Sequence, residues 1–246
     1  MNKHLLPREH GAYAELGFPL LSGLVLASPG LAAWLFVAAA ILLFLANEPL
    51  VVLLGVRGKR AREEHAAAAR RGLAALGGLG AIAGLAGLWL APEGARWLAL
   101  VPVVLAKNLK TLPGEVVAGA AFSAMHLPVA AAGGATGIAL WGPPVLWFAV
   151  TVCATLAVHA IKSRVTGANP WVVPAASWSA RLTLLAALAA WVWVPGWRTL
   201  ALAACLPLAG VVVVNRLALS PRKLKQVGWA VVAANAVAVS VLAAGH

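Results

Sequence analysis

Phe44-Leu-Ala-Asn-Glu-Pro-Leu-Val-Val-Leu-Leu-Gly-Val-Arg57-Gly-Lys-Arg-Ala-Arg-Glu-Glu-His-Ala-Ala-Ala-Ala-Arg-Arg71 is the densest run of charge in the chain. An apolar segment enters it and another leaves it. A basic block of this kind cannot sit in hydrocarbon, so the segment before it must end at a membrane surface. Clustered Lys and Arg mark that surface as the cytoplasmic one. Asn47 and Glu48 lie within the apolar run just before the block. A polar pair there costs free energy unless it is satisfied or used.

The bulk numbers agree. Of 246 residues, 62% are hydrophobic and 11% charged, with net charge +12 and mean hydropathy +0.90. Soluble domains carry roughly 25% charged residues. So many apolar side chains do not fit inside one aqueous core, so the chain reads as a single integral membrane domain, residues 1–246. The positive charge is a topology signal, and no nucleic-acid partner is expected. Cys153 and Cys205 fall in apolar runs and read as small packing residues. Asp is absent, and all seven acidic residues are Glu. The start resembles a signal-peptide n-region, but Arg8, Glu9, His10 and Glu15 interrupt the apolar stretch that should follow, so the first segment is expected to be retained.

A membrane-crossing helix needs about 20 mostly apolar residues. Nine segments approach that: Ala12 to Ala27, Leu31 to Leu54, Gly72 to Ala91, Arg96 to Asn108, Glu115 to Ala132, Pro144 to Ile161, Ala180 to Val194, Arg198 to Val214 and Val227 to Ala244. The fourth and fifth are the least regular and read as a broken helix or a re-entrant pair. The expected fold class is all-α, a polytopic membrane bundle of about nine helices. With nine spans, nearly every Lys and Arg falls on one side, with Arg96 and Arg198 on the other. That bias places the N-terminus in the cytoplasm and the chain in the inner (cytoplasmic) membrane. Small residues such as Gly80, Gly84 and Gly87 repeat about once per turn, as close-packed helix faces do. Most tryptophans lie near span ends, as in an interfacial belt.

Polar residues stand out against this background. Glu15 lies inside the first span, and an intramembrane carboxylate must face protein or water. Pro49 disfavours helix at Glu48, so a break or kink is expected at Asn47-Glu48-Pro49. Lys107 and Asn108 close the fourth span. His126 in the fifth reads as a satisfied packing residue. His159 and Lys162, three apart, share a helical face, with Arg164 just beyond. These clusters, His126 excepted, fall at the cytoplasmic ends of helices. If the helices ring a cavity, one pocket gathers His10, Glu15, Asn47, Glu48, Lys107, Asn108, His159, Lys162 and Arg164, with cations in excess. Such a pocket suits an anionic head over an apolar tail. Glu15 and His159 are the candidate catalytic groups, and the rest are candidate ligand contacts. No cofactor is indicated.

The opening Pro7-Arg8-Glu9-His10-Gly11-Ala12-Tyr13, the Asn47-x-Pro49 turn with its basic loop, and His159…Lys162-Ser-Arg164…Gly167-x-Asn169-Pro170 resemble the YwiC-like family, bacterial membrane proteins of uncharacterised function. More distantly, the layout is similar to the UbiA prenyltransferase superfamily. In those nine-helix enzymes, Asp-rich motifs after the second and sixth helices hold magnesium on a prenyl diphosphate. Here Asn47-Glu48 and Lys162-Ser163-Arg164 stand at those places. With no Asp, the resemblance implies the scaffold but not the paired magnesium site, and no metal site is expected.

Two function classes follow. One is a UbiA-like enzyme or lipid-binding protein acting on an anionic isoprenoid or similar ligand, among membrane lipids as partners. The other is a proton-coupled transporter of a small anionic solute, with a non-catalytic assembly partner as a third reading. The halves show no convincing repeat of the kind common in transporters. No P-loop, HExxH, CxxC or GxSxG pattern is present.

Overall fold

The computed structural model describes residues 10–105, 111–217 and 219–246. Among them the chain forms eleven α-helical segments: α1 (His10–Val25), α2 (Leu31–Leu53), α3 (Lys59–Leu90), α4 (Glu93–Leu98), α5 (Leu100–Leu105), α6 (Leu112–Ala124), α7 (His126–Ala132), α8 (Gly137–Thr166), α9 (Val172–Trp193), α10 (Arg198–Arg216) and α11 (Leu224–Ala244). No strand is present among the described residues. The α4–α5 and α6–α7 pairs are each one interrupted rod, so the segments make nine rods. Seven of the nine are long and apolar enough to cross a membrane. The protein is an all-α membrane bundle.

The interruptions have a local cause. Proline lacks an N–H and cannot bond the carbonyl four residues earlier. Pro102 releases the Leu98 carbonyl at the α4–α5 junction, and Pro128 releases the Ala124 carbonyl at α6–α7. The thirteen residues of Glu93–Leu105 span about 20 Å, short of the hydrocarbon thickness. They fold back against α6 and α7.

Two local expectations are corrected. Helix α2 runs unbroken through Asn47-Glu48-Pro49 and turns only at Leu54–Gly58, where Gly55 (φ 74°) and Gly58 (φ 99°) supply left-handed backbone. Pro49 is fully buried, and packing against the Gly72 turn of α3 accommodates it in place of a break. The basic block is not a loop either. Helix α3 begins at Lys59 and is 32 residues long, about 48 Å, well beyond the roughly 30 Å hydrocarbon core. Its basic first turns are held helical by Arg60–Glu64 (2.7 Å) and Lys59–Glu63 (3.9 Å) pairs and by the alanine run that follows.

Helices α2 and α3 form a close hairpin. A Cβ on Gly80 would come 3.0 Å from Leu43 Cγ, and one on Gly87 would come 3.1 Å from the Phe36 ring. These glycines are therefore the contact surface. The opposite face of α3, with Leu79, Ile82, Leu85 and Trp89, is exposed and suited to lipid. Helix α1 is the hub. It packs on α6, α7, α8 and α11 and belongs to both main cores. One core joins Phe18 to Trp147, Val150, Leu208 and Leu242, and the other joins Leu16 and Leu20 to Phe36, Ala95 and Val129. Contact of α1 with α11 closes the bundle.

Candidate functional site

A cavity of about 370 Å³ lies between α1, α6, α8, α10 and α11. Its walls are mainly apolar, with Val150, Val158, Val211 and Val231 among them. Its charged lining groups among the described residues are Glu15, Glu115 and Lys162. All three belong to the same end of the bundle: early in α1, the first turn of α6 and the last turns of α8. The polar groups deeper in are neutral: Thr151, Thr155 and Asn235. The site is an apolar slot with a charged mouth.

At the mouth, His159 Nε2 lies 2.8 Å from Glu115 Oε2, tying α8 to α6. Thr111 caps α6 by accepting from the Gly114 N–H at 3.2 Å, which fixes the helix start and hence the position of Glu115. Lys162 is exposed and forms no ion pair among the described residues.

The other residues singled out from sequence lie elsewhere. Glu48 is buried and receives a bidentate pair from Arg57, Nε to Oε1 and Nη2 to Oε2, each 2.8 Å. That clamp closes the α2–α3 hairpin. Asn47, beside it, is exposed. Arg164 donates from Nη2 to the Asn215 carbonyl (2.9 Å), and Asn215 Nδ2 donates to the Ala176 carbonyl (3.0 Å), so α8, α9 and α10 are laced together. The turn from α8 to α9 is set by Gly167 (φ 68°) and by Ser163, whose hydroxyl bonds the Ala168 and Asn169 carbonyls. His10 is the first residue of α1. Lys107 and Asn108 lie outside the described residues.

The expected convergence of Glu15, Asn47, His159 and Arg164 on one pocket therefore divides. Glu15 and Lys162 line the cavity and His159 reaches it through Glu115, whereas Glu48 and Arg164 make separate ties. The expected excess of cations is not found among the described lining groups, which number two carboxylates and one lysine. The cause for Arg164 is three-dimensional: its guanidinium is drawn to the Asn215 carbonyl on α10, while Lys107 lies outside the described residues.

Behind the cavity wall a largely buried chain of hydrogen bonds joins α1, α7 and α8. Trp147 Nε1–H donates to Ser22 Oγ (3.0 Å), Ser22 Oγ lies 2.9 Å from His126 Nδ1, and His126 Nε2 lies 2.9 Å from the Ala139 carbonyl. A carbonyl only accepts, so Nε2 carries the proton and Nδ1 of a neutral ring accepts from Ser22. The Pro19 carbonyl, 2.8 Å from the same hydroxyl, is the alternative acceptor. His126 is a satisfied core residue, and the chain holds Trp147 at the cavity wall, where it stacks on Phe18 with centroids 5.7 Å apart.

Glu115, Thr151 and Asn235 were not recognised from sequence as parts of a site. Glu115 stood only as the start of a span. Asn235, a lone amide in the middle of an apolar helix, carried the same signal as Glu15 and was readable on that ground.

The family model described as YwiC-like protein matches residues 6–130. No curated protein and no solved structure matches. The matched half contains Glu15, the Glu48–Arg57 clamp, Glu115 and His126, and the chain belongs to the YwiC-like family.

Proposed function

We propose that the protein binds a lipid-like amphiphile with an anionic head, the head at the charged mouth beside Lys162 and the apolar body in the slot between α8, α10 and α11. The observation that carries this reading is the cavity, about 370 Å³, apolar-walled, with an exposed lysine at its rim that forms no ion pair among the described residues. Its size is in the range of sites for small organic ligands. By the positive-inside rule, the end bearing the mouth and the basic turns of α3 faces the cytoplasm, which puts the N-terminus inside and the C-terminus outside. A UbiA-like scaffold is part of this proposal, on the placement of Asn47-Glu48 and Lys162-Ser163-Arg164 in the sequence. Any chemistry would rest on the Glu115–His159 pair, a carboxylate and an imidazole in contact at the mouth, suited to moving a proton. Asp-rich magnesium motifs have no counterpart in the sequence.

The test is mass spectrometry of lipids retained by the purified protein, together with headgroup competition. An anionic amphiphile enriched over the bulk membrane, weakened by Lys162→Ala and by raised salt, supports the reading. A retained lipid profile identical to that of an unrelated membrane protein sinks it. Proton-coupled transport, the second reading, is favoured only if solute uptake responds to a pH gradient and fails in Glu15→Gln.

A further inference from the structure

The inner end of the cavity carries a polar atom that nothing among the described residues satisfies. Asn235 is 8% exposed and lines the cavity, and its buried Oδ1 has no hydrogen-bond partner. It lies eleven residues along α11 from Leu224 at the rim. That is about 16 Å of helix, which brings it near the middle of a hydrocarbon core about 30 Å thick. Lipid offers no hydrogen bond at that depth, so the missing bond must come from a group held inside the cavity. The neighbouring Trp147 does not supply it, because its N–H is committed to Ser22. Thr151 and Thr155 share the lining and add hydroxyls but no charge.

We infer that Asn235, with the threonines opposite, forms a subsite for an uncharged hydroxyl carried on the apolar body of the bound amphiphile. A hydroxyl is the group that fits whichever way the amide is turned, because it donates to Oδ1 and accepts from Nδ2. A charged group is excluded, since the charged lining residues are all at the mouth and an ion at this depth would be without a counterion. The ligand class is thus narrowed to an amphiphile with an anionic head and a hydroxyl about half a membrane leaflet pair away along its chain. This rests on the amphiphile reading of the cavity.

The test uses the full-length protein in detergent and three radiolabelled probes: stearate, stearate with a hydroxyl at mid-chain, and stearate with the hydroxyl next to the carboxylate. The mid-chain isomer should bind about tenfold tighter than stearate, the ratio one hydrogen bond to a buried unpartnered group supports. The isomer hydroxylated beside the carboxylate should bind like stearate. Asn235→Leu should abolish the mid-chain preference and retain stearate. Should that variant fold poorly, Asn235→Ala gives the same comparison. Equal binding of all three acids to the unaltered protein, or a preference that survives both substitutions, overturns the subsite while leaving the amphiphile reading intact. If no acid binds, the amphiphile reading fails and the subsite falls with it.

Discussion

The Glu48–Arg57 clamp gives a sharp test because its two partners differ in burial. The Glu48 side chain is 5% exposed and the Arg57 side chain 37%. Removing Arg57 as Arg57→Met leaves a buried carboxylate without its cation, and breaking a buried pair in that way costs roughly 3–5 kcal/mol. Partial exposure of the guanidinium lets water reach the carboxylate's outer edge, so the lower end, about 3 kcal/mol, is expected. Glu48→Gln is milder. Arg57 rehydrates, one acceptor oxygen remains, and the loss is about 1 kcal/mol. The double variant removes the charge mismatch and should cost about 2 kcal/mol in total, a coupling of about 2 kcal/mol. Equilibrium unfolding in mixed detergent micelles, followed by circular dichroism, measures all four proteins. If Arg57→Met is no worse than Glu48→Gln, or the two effects add to within about 0.5 kcal/mol, the clamp is not a desolvated ion pair and the reasoning is wrong.

Four further outcomes are expected. His126→Leu should destabilise by about 1–3 kcal/mol by stranding the Ala139 carbonyl, while the Ser22 hydroxyl turns to the Pro19 carbonyl, and Trp147 fluorescence should shift if the indole loses its anchor, measured against the Trp147→Phe background. Gly119→Val should cost about 1–3 kcal/mol through overpacking, because even a Cβ there would lie 2.6 Å from Thr151 Cγ2. Pairing it with Thr151→Ala should restore part of the melting temperature. Arg164→Ala should lower stability by about 1–2 kcal/mol through the Asn215 carbonyl and change amphiphile affinity less than about twofold, readable by titration calorimetry. Reporter fusions after Ala67 and at His246 should report opposite sides of the membrane, which requires the short α4–α5 rod to carry the chain back to the first side; equal signals would refute that return and with it the odd count.

Much of the fold could be read from the chain alone, because a bilayer imposes one-dimensional constraints. Hydrocarbon thickness sets segment length and charge is confined to the ends, so apolar runs and basic blocks locate the helices wherever they pack. The same reasoning marked Glu15 and Lys162, whose polarity conflicts with their surroundings in any packing. Helix ends were less legible. Pro49 predicts a break by backbone sterics, yet α2 continues, because burial against α3 outweighs one lost hydrogen bond. Partner choice was not legible at all. Whether Glu48 faces a cavity or Arg57, whether Arg164 meets a ligand or the Asn215 carbonyl, and whether Glu115 meets His159 depend on helix rotation and on neighbours up to 51 residues distant. Polarity and spacing determine that a residue needs a partner. Only the packing of neighbouring helices decides which partner it has, and among the described residues it leaves the Asn235 oxygen inside the slot without one.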